Sequence, residues 1–223
     1  MSDRTTTAPE PRGSGTYHYV HTAGWYRHTS RLLDQAGNIP IQSASTEFLD
    51  RRQWIAPDGS GRLLVTRGDV EIQPSGHYPA GGLPGRFLSS EDLPEIALRL
   101  RENIQRSITG GAVKAFITIW QSQVVPPFLN KILLTRLAEL PDLIDEGPTT
   151  DRMGRPGTAI SHTDPQRKIT YRLIFDNEIG MLLSHEDIKP EAEPAGDKTP
   201  AMTSCPMWLD ACYTDTTTVA KLP

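Results

Sequence analysis

The sequence is poor in cysteine, in aromatic residues and in long apolar runs. Its 223 residues include two cysteines and 7% aromatic residues, and its most apolar window, residues 112–120, is interrupted by Lys114. That window is about half of the ~20 residues that a membrane-spanning helix needs. Cys205 and Cys212 fit neither a zinc-ligand pair nor a CxxC redox motif. We expect no membrane span and two free thiols, with a disulfide as the alternative if the chain is exported.

The sequence also lacks an excess of basic charge. It has 23 Lys and Arg against 27 Asp and Glu, a formal net charge of -4, with the signs interspersed. No basic surface is therefore expected for nucleic acid or for an anionic membrane. The first segment, Met1–Gly15, is rich in Ser, Thr, Pro and Gly and has no apolar stretch of the secretory kind. We interpret it as a disordered leader and expect a cytoplasmic location.

The common catalytic motifs are absent: the phosphate-binding lysine loop, the dinucleotide glycine fingerprint, the GxSxG elbow and the HExxH helix. Three histidines cluster near the start, but on a strand His18 and His28 share one face and His21 lies on the other. That alternation argues against a metal site, and we expect neither metal nor cofactor. His77, Tyr78 and His162 stay as acid–base candidates.

The local sequence patterns change from strand to helix and back to strand. β-Branched and aromatic residues predict strands over residues 17–27, 46–57 and 62–67, then 158–162, 168–175, 181–188 and 207–216. Between the two groups, apolar spacing predicts helices over 91–109, 112–123 and 126–138, with Gly110 and Gly111 ending the first. Residues 68–90, rich in Gly and Pro, are expected to be irregular, and 189–200 a solvated excursion.

Strands, then helices, then strands predict a single α+β domain over residues 16–223. In it, a strongly curved antiparallel sheet, an open half-barrel, packs against about three helices in a helical layer over residues 91–138. The Asp58–Gly61 segment is expected to form the tight turn of the first hairpin, since its two glycines permit positive φ angles.

Three separated segments carry a resemblance to a known family: residues 52–62, 126–141 and 173–183. In this order they resemble the extracytoplasmic domain of anti-sigma-factor-like membrane proteins of actinobacteria, a family of unknown function, here without its membrane anchor. The resemblance spans about residues 16–188. It implies a half-barrel like that of lipoprotein carriers, with an apolar concavity, and it brings no catalytic residues.

Eight aromatic side chains are candidates for lining such a concavity, with ordinary core packing as the alternative for each. They are Tyr19, Trp25, Trp54, Phe116, Trp120, Tyr171, Phe175 and Trp208.

Three functions follow as hypotheses. The first is the binding of a bulky apolar small molecule or lipid. The second is a cofactor-independent cyclase or isomerase that folds a polyketide-like substrate for cycloaddition or ring closure, as in antibiotic biosynthesis. The third is a regulatory domain, derived from an anti-sigma-like protein, whose partner is another protein.

Overall fold

Two groups of antiparallel strands form one open, curved sheet, and the described part of the chain between the groups contains two helices. The computed structural model describes residues 9–31, 41–83, 109–189 and 201–218. The strands are β1 (Arg12–Gly13), β2 (Tyr17–Arg31), β3 (Ile41–Ile55), β4 (Gly61–Arg67), β5 (Val70–Tyr78), β6 (Ile144–Thr150), β7 (Pro156–Asp164), β8 (Ile169–Asp176), β9 (Leu182–Lys189) and β10 (Ala201–Thr214). The helices are α1 (Thr109–Ser122) and α2 (Pro127–Ala138). The predicted α+β class is confirmed.

The sheet has the strand order β5-β4-β3-β2-β10-β9-β8-β7-β6. Strands β2 to β5 and strands β6 to β10 are each successive antiparallel hairpins, and the pairing of β2 with β10 joins the two groups. At Gly24 the two strands approach so closely that a Cβ atom would overlap the Cys205 carbonyl oxygen. Glycine is therefore required at position 24, near one end of the pairing that unites the sheet.

The turn between β3 and β4 confirms the predicted hairpin. Gly59 and Gly61 have φ angles of 79° and 150°, which side-chain-bearing residues rarely adopt. The Asp58 carboxylate accepts hydrogen bonds from the backbone N–H and the hydroxyl of Ser60, at 2.9 and 2.7 Å. These contacts close the turn and fix the register of β4 on β3.

Both helices pack on one face of the second group of strands. The Trp208 indole N–H on β10 donates to the Trp120 carbonyl of α1 at 2.9 Å, and Asn130 of α2 donates to the Gly180 carbonyl at 3.0 Å. The buried core between helices and sheet contains Val20, Val113, Phe116, Trp120, Leu129, Leu133, Leu137, Tyr171, Leu173, Phe175, Leu182 and Trp208, among others. Neither helix is long and apolar enough to cross a membrane, within the residues described.

The expectation that residues 68–90 are irregular is wrong for its first part, which forms β5. Strand β6 was likewise not expected. Each is the last strand at its end of the described sheet, and each contains a proline, Pro74 or Pro148. A strand with a neighbour on one side only tolerates proline, because one row of its N–H groups has no strand to pair with.

Gly110 and Gly111 lie in the first turn of α1 and do not end a helix. The predicted first helix, from Glu91, lies in residues 84–108, outside the described residues, as do residues 1–8 of the predicted leader and 190–200 of the predicted excursion. The later part of the leader contains β1, which pairs in parallel with β10.

We predict that Leu133→Ala lowers the free energy of unfolding by about 2–5 kcal/mol, because it leaves a cavity in the core. Leu133 is 1% exposed, whereas Phe128 on the same helix is 48% exposed. Phe128→Ala should therefore change the stability by about 0.5 kcal/mol or less. Urea unfolding of both variants measures the difference in stability. Equal losses in the two variants would contradict the packing of α2 on the sheet through Leu133.

Candidate functional site

The helix-facing side of the sheet carries a row of polar side chains across four strands. His162 on β7 lies opposite Tyr171 on β8, Tyr171 opposite Asp187 on β9, and Asp187 opposite Ser204 on β10. Directly opposed residues of an antiparallel sheet project to the same face. His185, two residues before Asp187, projects to that face as well. We call these five residues the polar row.

Three atoms of the polar row are buried without a hydrogen-bond partner: the Tyr171 hydroxyl oxygen, His185 Nδ1 and Asp187 Oδ1. His185 Nε2 lies 3.6 Å from Asp187 Oδ1, which is too long for a hydrogen bond. Ser204 donates a hydrogen bond to the Asp187 carboxylate. Unpaired buried polar atoms cost free energy, so this part of the core is not optimised for stability.

Lys114 of α1 lies above the polar row. Its ammonium nitrogen is 5.7 Å from the centre of the Tyr171 ring, and the residue is exposed to solvent. Burial raises the pKa of Tyr171 and, against the opposing effect of Lys114, that of Asp187. Burial and then the Lys114 charge lower the pKa of His185 to about 3. The row therefore holds a neutral phenol and a neutral imidazole at pH 7.

A hydroxyl, an imidazole, a carboxylate and an ammonium are the groups of acid–base catalysis. However, Tyr171 is 0% exposed and His185 5% exposed beneath the helical layer. A substrate would reach them only after α1 moves. As described, the polar row is a buried electrostatic cluster with one solvent-facing cation.

A half-buried histidine, His18, connects β2 to the helical layer. The Val124 backbone N–H donates to His18 Nδ1 at 3.1 Å, which requires a lone pair on that nitrogen. Burial lowers the pKa of His18 to about 4. His21 lies on the opposite face of β2 and contacts Asp50, with 2.7 Å between Nε2 and Oδ2. The predicted alternation of these histidines is therefore confirmed.

The aromatic candidates separate into three places. Phe116, Trp120, Tyr171, Phe175 and Trp208 belong to the core between helices and sheet. Tyr19 and Trp54 pack together on the opposite face, with 5.0 Å between ring centres.

The remaining candidate, Trp25, meets Phe48 edge to face at 4.9 Å between ring centres. Trp25 is half-buried, and Phe48 is 44% exposed. Of the eight aromatic candidates, Trp25 is the one that keeps substantial surface.

The three acid–base candidates do not meet in one place along the sheet. His77 and Tyr78 end the edge strand β5, whereas His162 lies on β7, with six strands between in the sheet order. His77 is exposed, and the Tyr78 hydroxyl donates to the Pro74 carbonyl oxygen. His162 is 4% exposed and belongs to the polar row.

Sequence reasoning missed Asp187 and Ser204 as members of the polar row, and Lys114 as the cation above it. Lys114 is the charge that interrupts the most apolar window, which is a usable signal. Asp187 gives no such signal in the sequence, because its position opposite Tyr171 depends on the register of β9 on β8. Glu186, which stands beside His185 in the sequence, points to the other face, where Arg152 and Arg172 pair with it at 2.9 and 3.3 Å.

Both cysteines lie on β10 as buried free thiols. Seven residues of extended strand separate their Cα atoms by roughly 23 Å, far beyond the ~7 Å limit for a disulfide. Burial, before any nearby charge, raises the pKa of Cys205 to about 12, so its thiol is unreactive at neutral pH. Within the described ranges, no group of three His, Cys, Asp or Glu side chains is placed to hold a metal ion.

No protein-family model matches the sequence, and no curated protein matches it significantly. Among solved structures, a crystal structure of MucB in complex with MucA(peri) is similar with a TM-score of 0.30 and 11% identity, over 97% of this chain and 56% of that one. A Pseudomonas aeruginosa MucA/MucB complex gives a TM-score of 0.29 and 11% identity, over 86% of this chain and 51% of that one. The chain thus spans about half the length of the structures it matches.

We predict that stability falls as the pH drops below about 6.5, the ordinary histidine pKa. Because the pKa values of His18 and His185 are lowered to about 4 and about 3, the unfolded chain takes up protons there that the folded chain does not. Each histidine contributes at most about 1.4 kcal/mol per pH unit. The raised pKa of Asp187 acts in the opposite direction and offsets part of the loss.

Thermal unfolding between pH 7.5 and 4.5 measures this loss. His185→Gln should flatten the dependence on pH, whereas His77→Gln, a change at an exposed histidine, should leave it as it is. An unchanged slope in His185→Gln would contradict a buried neutral imidazole.

We predict that Tyr171→Phe raises the free energy of unfolding by about 1 kcal/mol, because it removes a buried hydroxyl that has no partner. Tyr213→Phe, at a half-buried position beside His18, is the control and should change little. Chemical denaturation of both variants measures the change in the free energy of unfolding. A destabilised Tyr171→Phe protein would mean that the hydroxyl is hydrogen-bonded in solution.

Proposed function

We propose that this chain is a regulatory domain that acts by binding another protein. The observation that carries the proposal is the aromatic pair of half-buried Trp25 and exposed Phe48, on the face of the sheet opposite the helices. Aromatic side chains at the centre of an exposed patch supply most of the binding energy in protein interfaces.

The pair stands on a rigid support. Trp25 on β2 lies opposite Phe48 on β3, and β2 is paired on its other side with β10. A side chain held on a strand with two neighbours loses little further freedom on binding, so its burial is converted efficiently into affinity. Phe128 and Met153 are also exposed apolar side chains, but neither has an aromatic contact of this kind among the described residues.

Charged groups border the aromatic pair. Asp50 lies beside it on the same face of β3 and contacts both His21, at 2.7 Å, and Arg52, at 3.0 Å. An apolar centre with a charged rim is the usual composition of a protein interface. The rim would set the orientation of the partner more than the affinity.

The edges of the described sheet are poorly suited to a partner that adds a strand. Both β5 and β6 contain a proline, and the register of each with its neighbour shifts once. Prolines and bulges at edge strands block edge-to-edge pairing. This favours the face with Trp25 and Phe48 over an edge as the place of contact.

A second candidate function is the binding of a small molecule on the helix-facing side, with the open, curved sheet acting as a half-barrel. Arg51 of β3 favours it, because its register partner Val65 belongs to an apolar cluster on that side. Cyclase or isomerase activity and the cytoplasmic location remain predictions.

Site-specific photo-crosslinking in the native host tests the first proposal. A photoreactive phenylalanine analogue at position 48 should give one discrete adduct with another protein. Trp25→Ala should lower its yield by about tenfold or more, since a central aromatic is worth about 2 kcal/mol or more.

The controls place the same analogue at Val70 and at Ile144, which are 65% and 58% exposed on the two edge strands. Neither should give that adduct. The same adduct from all three positions, no adduct at position 48, or an adduct of two copies of this chain would each contradict the proposal.

A further inference from the structure

One partly buried cation on the helix-facing side has no counter-ion among the residues that the structure describes. Arg51 of β3 projects to that side, because its register partner Val65 belongs to an apolar cluster there. None of the described carboxylates forms an ion pair with Arg51. Its side-chain hydrogen bonds go from Nε and Nη2 to Gln53 Oε1, at 3.3 and 3.1 Å. A desolvated charge without an opposite charge costs free energy, which points to an anion that the site is built to receive.

Gln53 is fixed in the orientation that serves Arg51. Its amide nitrogen donates to the Gln121 carbonyl near the end of α1, so its oxygen faces the guanidinium. A guanidinium has five N–H donors in a rigid fork, and two bonds to Gln53 leave three of them. A planar carboxylate accepts two parallel bonds from such a fork.

Two tyrosines lie close to the Arg51 charge. Burial lowers the pKa of Arg51, and the smaller electrostatic effects of Tyr26 and Tyr78 raise it. Tyr26 and Tyr78 are each half-buried. Their hydroxyls and rings are suited to the edge of a ligand that is part polar and part apolar.

Part of the surroundings of Arg51 is apolar. Ile55, Leu63, Val65 and Leu83 form a buried cluster, and Leu49, Ile72 and Tyr78 pack against it while keeping part of their surface exposed. The cation therefore lies at the border between a buried apolar cluster and a partly exposed apolar rim. An inorganic anion would leave that rim uncovered, whereas an apolar body attached to the anion would cover it.

We propose that Arg51, with Gln53, Tyr26 and Tyr78, is a binding site for a carboxylate carried on an apolar molecule. The site lies on the face opposite Trp25 and Phe48, so it does not depend on the protein-binding function proposed above. Arg51 holds the carboxylate, Gln53 holds Arg51, and the apolar rim contacts the body of the ligand.

Titration calorimetry on the full chain tests the site with benzoate, with its uncharged analogue benzamide, and with inorganic phosphate. Benzoate should bind at least about tenfold more tightly than either of the other two. Equal binding of benzamide would overturn the role of the charge. Equal binding of phosphate would overturn the role of the apolar body.

Substitutions of Arg51 test whether this residue binds the carboxylate. Arg51→Gln should weaken benzoate binding by about tenfold or more, and Arg51→Lys should also weaken it, because an ammonium has no planar fork. Arg52→Gln is the matched control, since Arg52 is the next residue, points to the opposite face and pairs with Asp50. Unchanged binding in Arg51→Gln, or an equal loss in Arg52→Gln, would overturn the proposal. The comparison of benzoate with benzamide needs no variant. It tests the role of the ligand's charge even if Arg51→Gln does not fold.

Discussion

The pairing of β2 with β10 is the constraint on which the rest of the structure depends. It joins residues 17–26 to residues 204–214 and so unites two groups of hairpins that are otherwise connected through the helical segment. The pairing requires glycine at position 24, where the strands approach too closely for a Cβ atom. It also brings Val20 of β2 and Trp208 of β10 into the same helix-packed core. Without this pairing, the helices would pack only on the second group of strands.

Once the sheet is continuous, the alternation of side chains gives its two faces different chemistry. Arg51 and Arg52 are neighbours in the sequence, yet Arg51 lies on the helix-facing side with no partner among the described carboxylates, and Arg52 pairs with Asp50 beside Trp25 and Phe48. His185 and Glu186 separate in the same way, into the polar row and an arginine-paired position. One face thus carries the proposed protein contact, and the other the proposed carboxylate site.

Local patterns predicted much of this fold. The turn at Asp58–Gly61 and the start of α2 at Pro127 were predictable because their causes, glycine φ angles and the missing proline N–H, act within a few residues. The edge strands β5 and β6 were not, because their prolines look like loop residues until the absence of a neighbouring strand is known.

The candidate sites were less predictable, for the same reason. Tyr171 was identified as a candidate from the sequence. Its unpaired hydroxyl and its position under Lys114 could not be predicted, because they depend on elements that meet only in the folded protein. In the sequence, Arg51 looks like an ordinary strand charge next to Arg52. Its position on the helix-facing side, away from Asp50, is a property of the register of β3 on β2 and β4. Register over long sequence separations is what sequence patterns specify least.

Hydrogen exchange of the β2 and β10 backbone amides tests the central claim, that one pairing makes the two halves a single sheet, most directly. Peptides covering residues 17–26 and 204–214 should exchange only in the slow phase, together with the buried strand β8, because they open with the whole domain. Exchange of β2 and β10 well before β8 would contradict the account, since the two groups of strands would then be separate cooperative units.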